Sequence, residues 1–324
     1  MKQIILITTC LVTCLSLAAC ATTKPAVEKV IMDIDVRPVT QSSDVVELPK
    51  FDAEAALASA DKLQKSSDYI ASFDAYTVVL MRMATDHEDR TQAMLGLADS
   101  ALSLTWRGEK YKNRARKLYA DIAANTDGTP DQIRRAKAGL LLLDLADFTP
   151  EAAEKRLHAA IKDSPGDPRL WNALGKVHDG NKQWLDALDA YVTALTAAKT
   201  NGTSTAAVVN NMGMSLLMQG RKKEALSKFK QARKANGDMP VYDNNLRLAQ
   251  TLSGKTDKAV KGLSDTRAAQ VYNDAGVIAE ARGESSKARS LYMKALETSP
   301  VYFERAEKNL AGLTDKVQLA ASLD

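Results

Sequence analysis

Residues 269–300 set Tyr272, Gly276, Gly283, Ala288, Tyr292, Ala295 and Pro300 at spacings that leave few folds open. A glycine follows Tyr272 by 4 residues, Ala288 by 12 more, Tyr292 by another 4, and Pro300 closes the stretch 8 beyond. Small residues at Gly276 and Ala288 suit the point where two helices cross, because only short side chains let backbones approach closely. Tyr272 and Tyr292 fill the space beside that crossing. Pro300 ends the second helix, since it cannot donate the next backbone hydrogen bond. The same grammar recurs in Trp171, Leu174, Gly175, Ala187, Tyr191 and Ala194, and again in Val209, Met212, Gly213, Gly220, Ala225, Phe229 and Ala232. A weaker copy holds Asn245, Leu246, Gly254, Ala259 and Leu263. Ala225 and Ala259 lie 34 residues apart; Ala187 and Ala225 lie 38 apart, with the surplus in a polar turn at 199–204. Ala259 and Ala288 are only 29 apart, so the second helix of the third copy is expected to stop near Ser264, with a local irregularity there.

This spacing resembles the tetratricopeptide unit, two antiparallel helices in ~34 residues. The resemblance implies an all-α tetratricopeptide (TPR) solenoid of helical pairs wound as a right-handed superhelix. Residues 166–300 carry four repeats, residues 51–165 read as degenerate TPR-like pairs, and 301–324 as a capping helix and tail. Repeat arrays need such a cap because the last repeat otherwise exposes its stacking face. Within the degenerate part, apolar residues recurring at three and four predict helices over 53–64, 72–84, 90–104, 111–124, 133–144 and 150–162, the last two as a pair. Thr129-Pro130 and Thr149-Pro150 read as a cap followed by proline at the first helical position.

The N-terminal end has a different character. Lys2 precedes an apolar run from Ile4 to Leu17 that ends in Leu17-Ala18-Ala19-Cys20. This resembles the lipobox of bacterial lipoproteins. The resemblance implies a leader at 1–19 that is removed, diacylation of Cys20, and outer-membrane sorting because Ala21 rather than Asp follows. Residues 20–50 then read as the lipidated cysteine and a flexible tether with Pro25, Pro38 and Pro49. The other two cysteines, Cys10 and Cys14, fall in the leader, which leaves no disulfide or thiol chemistry in the mature chain. Two or three acyl chains anchor stably at about 0.8 kcal/mol per buried methylene. Over the 324 residues, 45% are hydrophobic and 26% charged, and the net charge of +4 comes from interleaved signs. That pattern excludes the concentrated basic stripe of a nucleic-acid binder.

No catalytic or cofactor constellation emerges, so the chain is expected not to be an enzyme and to take no cofactor, metal or small-molecule substrate. His87, His158 and His178 are scattered, and neither a His-Glu-x-x-His motif nor a phosphate-cradling loop is present. The candidate site lies on the first helices of the four repeats. Their fifth positions are Asn172, Asn210, Asn244 and Asn273, and their sixth are Ala173, Asn211, Asn245 and Asp274. A carboxamide donates and accepts at once, so such a ladder can hold an extended peptide backbone whatever its sequence. The same amides equally suit solubilising the groove or bonding one repeat to the next. Capture of a C-terminal carboxylate, as in chaperone-binding repeats, is set aside because the clamp's cations are missing at Asn172, Val241 and Asn245.

The run Asn244-Asn245-Leu246-Arg247-Leu248-Ala249, with Gly254 and Ala259, resembles the TadD family of tight-adherence (Flp) pilus assembly. With the lipobox, this implies a periplasm-facing lipoprotein of the outer membrane. Its groove would grip an extended segment of a secretin or pilus component, as a pilotin-like scaffold does. The alternative is a general adaptor for envelope or peptidoglycan enzymes.

Overall fold

The computed structural model describes residues 51–125, 128–237 and 239–321, with side chains described as far as 313. The expected leader at 1–19, Cys20 and the tether at 20–50 lie outside the described residues. Among the described residues the regular elements are helical throughout, and no helix is long and apolar enough to cross a membrane. The chain divides into two compact units between Ser204 and Thr205.

The first unit holds α1 (Ala53–Lys65), α2 (Tyr69–Arg82), α3 (Arg90–Ser103), α4 (Glu109–Ala124), α5 (Pro130–Asp144), α6 (Pro150–Asp163), α7 (Pro168–Gly180) and α8 (Trp184–Thr200). Local signals explain most of the starts. Asp52 and Asp68 accept hydrogen bonds from the amides of Ala55 (2.9 Å) and Ala71 (3.1 Å). Thr129 forms a capping box with Gln132 ahead of Pro130, and the Thr149 hydroxyl accepts from the Ala152 amide. Each cap satisfies amides that the first helical turn leaves without partners. The helix α6, expected to pair with α5, packs more heavily on α7. Its Leu157 and Ile161 join Leu170 and Leu174 in one apolar cluster.

The second unit holds α9 (Ala206–Met218), α10 (Lys222–Ala235), α11 (Pro240–Leu252), α12 (Thr256–Val260), α13 (Asp265–Ala281), α14 (Ser285–Thr298) and α15 (Glu304–Ala321). Its core runs from Leu217 and Phe229 through Leu246, Leu252 and Tyr272 to Tyr292 and Leu313.

One contact builds both units: an aromatic ring laid on a glycine of the neighbouring helix. Within the repeats the glycine comes first. A Cβ added at Gly175 would lie 2.6 Å from the Tyr191 ring, at Gly213 2.8 Å from Phe229, and at Gly276 2.5 Å from Tyr292. In the degenerate part the order is reversed. Tyr76 of α2 covers Gly96 of α3, and Tyr119 of α4 covers Gly139 of α5, where an added Cβ would meet the ring at 2.2 and 2.4 Å. All five rings are buried. The tyrosines also tie down a polar end. Their hydroxyls donate to Asp61 from Tyr76, to Asp99 from Tyr119, to Asp179 from Tyr191 (2.7 Å) and to Glu280 from Tyr292 (2.7 Å). A buried phenol needs such an acceptor.

The third repeat lacks this contact. Arg247 stands where the other repeats carry glycine, and α12 has only 5 residues, so Leu263, at the aromatic position, falls beyond its end. The Arg247 guanidinium instead donates to the carbonyls of Ala259 (2.6 Å) and Lys261 (3.4 Å) and to Asp243 (2.6 Å). It caps the short helix from outside. The expected irregularity is present, with α12 ending at Val260 and Ser264 capping α13.

Candidate interaction surface

The asparagines of the second unit fall into two matching sets. In the first, the Asn245 amide on α11 donates to the Asn210 carbonyl on α9 at 2.9 Å, while the Asn210 amide donates to Asn211 at 3.3 Å. In the second, the Asn309 amide on α15 donates to the Asn273 carbonyl on α13 at 2.9 Å, and the Asn273 amide donates to Asp274 at 3.2 Å. The partners are separated by 35 and 36 residues, one repeat. Asn210, Asn245, Asn273 and Asp274 are all buried. Asn211 and Asn244 are half-buried on the first helices, and Asn172 is half-buried on α7 of the other unit. The structure thus brings Asn210, Asn211 and Asn245 together, and Asn273 and Asp274 with Asn309.

Asn309 was not among the sequence candidates. Its position one repeat after Asn273 is the signal that identifies it. The Asp274 carboxyl is pushed up by burial, an effect that Asn273 and the Arg305 guanidinium only partly oppose.

Arg247, Asn244 and Asp243 share the α11 stretch beside these amides, and Asn211, Met214 and Met218 follow one another at helical spacing on α9, all half-buried. This places a carboxamide beside two thioethers, a surface that adapts its shape readily. His178 is a buried packing residue whose Nδ1 lies 3.1 Å from Gln183 Oε1. Among the described residues no three His, Cys, Asp or Glu side chains are placed to hold a metal ion.

The first unit carries an ionic cluster that the sequence reasoning did not find. Asp99 of α3 accepts from Arg135 of α5, from Arg169 of α7 and from the Tyr119 hydroxyl. Arg169 also holds Asp167 through Nη2 (2.6 Å) and Nε (3.0 Å). Burial raises the Asp99 carboxyl, but the Arg135 and Arg169 guanidiniums outweigh it and hold the group below the usual carboxylate range. Asp99 and Arg135 are 36 residues apart and Arg135 and Arg169 are 34 apart, so repeat spacing was again the available signal.

Antiparallel helical pairs at a period near 34 residues, with an aromatic ring laid on glycine in three of the four repeats, make this chain an all-α tetratricopeptide-repeat solenoid. No family model matches the sequence, and no curated protein matches it. Among solved structures, similarity extends to YrrB, described as a TPR protein with an unusual peptide-binding site, at 19% identity over 53% of this chain and 89% of that one, with a TM-score of 0.35. It extends to PilF of Pseudomonas aeruginosa at 22% identity over 60% and 89% of the two chains, TM-score 0.39. A tetratricopeptide protein from Parabacteroides merdae is 13% identical over 81% and 98%, TM-score 0.39.

Proposed function

We propose that the chain is a non-enzymatic interaction scaffold that grips an extended protein segment along the first helices of its second unit. It would act as an outer-membrane lipoprotein, anchored through Cys20, in assembly of a pilus or secretin of the TadD type. The observation that carries the gripping role is the run of half-buried Asn211, Met214 and Met218 at helical spacing on α9; Asn244, on α11, is a second half-buried amide. These residues offer carboxamides for a peptide backbone and thioethers for apolar side chains of varied shape. The lipobox and the Asn-Leu-x-Leu-Ala run supply the anchored, pilus-linked part of the reading. The buried amides, Asn210, Asn245 and Asn273, take the supporting part by fixing neighbouring first helices in register.

The test is a crosslinking pull-down from the native envelope, run beside an Asn211→Ala/Asn244→Ala variant. A secretin or pilus component that disappears with the variant supports the scaffold and its face. Retention of that component by both proteins moves the binding site elsewhere. Cell-wall enzymes in its place favour the adaptor reading. A Cys20→Ala strain should mislocalise or disassemble the partner pore; normal assembly there removes the anchored role.

A further inference from the structure

The interhelical turns of the second unit gather cations at one corner. Arg282, just after α13, has a side chain only 10% exposed; one nitrogen donates to Glu284 while its Nη1 is buried with no hydrogen-bond partner. Its guanidinium packs on the turn at Gly220, where φ is +82° and an added Cβ would lie 2.9 Å from Nη2. Lys222, first residue of α10, and Lys287, in the first turn of α14, each approach Glu284 only to 3.9 Å. Lys287 donates to the Leu252 carbonyl at the end of α11, at 2.6 Å. Three cations therefore share one carboxylate, leaving two positive charges in excess.

Two features make this corner receptive to an anion. Both α10 and α14 begin here without a side-chain hydrogen bond at the cap: the α14 cap residue is Glu284 itself, and Glu224 in the first turn of α10 is taken by Arg221. Such N-termini favour negative charge. Burial, and next the Lys222 ammonium, push the Lys287 amine below the usual lysine range. We propose that this corner binds a tetrahedral oxyanion, inorganic phosphate or a phosphate monoester, between Lys222, Lys287 and Arg282. A phosphate monoester carries nearly two negative charges at neutral pH, which matches the excess. The site is separate from the amide face of the first helices and does not depend on that reading.

The test is calorimetric titration of the purified protein with inorganic phosphate at constant ionic strength, with chloride as the balancing salt. One saturable site per chain is expected. A Lys222→Met/Lys287→Met variant, both positions half-exposed, should keep the helical circular dichroism and bind about 10- to 100-fold more weakly, the range for losing a charged hydrogen bond. Lys230→Met, an exposed change on the same helix α10, should bind as the wild type does. No saturable heat, or equal binding by the double variant, overturns the proposal. Vesicles of phosphatidic acid, a lipid phosphate monoester, in phosphatidylcholine then separate the sources. Co-sedimentation that free phosphate displaces and the double variant loses assigns the phosphate to a lipid headgroup. Saturation by phosphate without vesicle binding assigns it to a soluble ion.

Discussion

In the N-terminal pairs of the first unit, Tyr76 and Tyr119 come before the glycines they cover; at Gly175 of that unit, and at Gly213 and Gly276 of the second, the glycine comes before Tyr191, Phe229 and Tyr292. The packing is the same, because a ring and a missing Cβ make one close contact whichever helix supplies each. The units differ in what they add to it. The first adds charge, with Asp99 held by Arg135 and Arg169. The second adds neutral amides, with Asn245 on Asn210 and Asn309 on Asn273. An ionic tie is strong only while complete and leaves a stranded charge when broken. An amide tie loses little more than its own bond.

That contrast can be broken experimentally. Trp106, Trp171 and Trp184 all lie in the first unit, so tryptophan emission follows that unit and hydrogen exchange resolved by segment follows the other. The largest effect is expected from Asp99→Asn, which leaves Arg135 without its carboxylate and Arg169 with Asp167 alone, and should cost the first unit about 3 kcal/mol. An unchanged tryptophan-detected midpoint would remove the ionic tie from the account. Next come Gly139→Ala and Gly276→Ala, each forcing a methyl into a ring and expected to cost about 1–3 kcal/mol in its own unit. If only the Gly276 change destabilises, the reversed contact is not equivalent to the forward one.

Asp274→Asn should act in the opposite direction, stabilising the second unit at neutral pH by about 1 kcal/mol, because it removes a buried charge and keeps an acceptor for Asn273. Destabilisation there would show that the charge is used. The smallest effect is expected from Tyr292→Phe, about 1 kcal/mol or less, since Phe229 already fills the equivalent place without a hydroxyl.

Acid should separate the units by sign. The Asp99 carboxyl is depressed on folding, so its contribution is present above the ordinary carboxylate range and is lost as pH falls toward its lowered value. The Asp274 carboxyl is raised, so its contribution is complete below the ordinary range and is lost as pH rises through its folded value. Mild acidification from neutrality should therefore first slow hydrogen exchange near α13, and stronger acid should then lower the tryptophan-detected stability. The Asp99→Asn and Asp274→Asn variants should each erase its own part of that profile.

Helix positions and the short third step were legible from residue spacing. Periodic apolar residues and Thr-Pro starts fix where a helix begins and which side it buries. The reversed contacts were not legible, because the repeat pattern sets the ring after its glycine, whereas Tyr76 and Tyr119 precede Gly96 and Gly139. The amides were legible as a set, but not in their direction. A side chain at one position of a first helix can face a ligand or the next first helix, and which it does depends on how closely the helices approach. Asp99, Arg135 and Arg169 sit at repeat spacing, yet opposite charges two and four helices apart look like ordinary surface residues until the chain is folded.

The missing ring-on-glycine contact of the third repeat, with Arg247 and Leu263 in the two places, has a consequence for cooperativity. In an array where each repeat touches only its neighbours, stability is a sum of local and nearest-neighbour terms, and unzipping begins at the weakest link. The short α12, closed by a side chain rather than by a ring on glycine, is that link within the second unit. Heat or denaturant should free the segment around α12 first and leave α13–α15 as a folded end piece. A pulling experiment would then record the second unit as two separate rips.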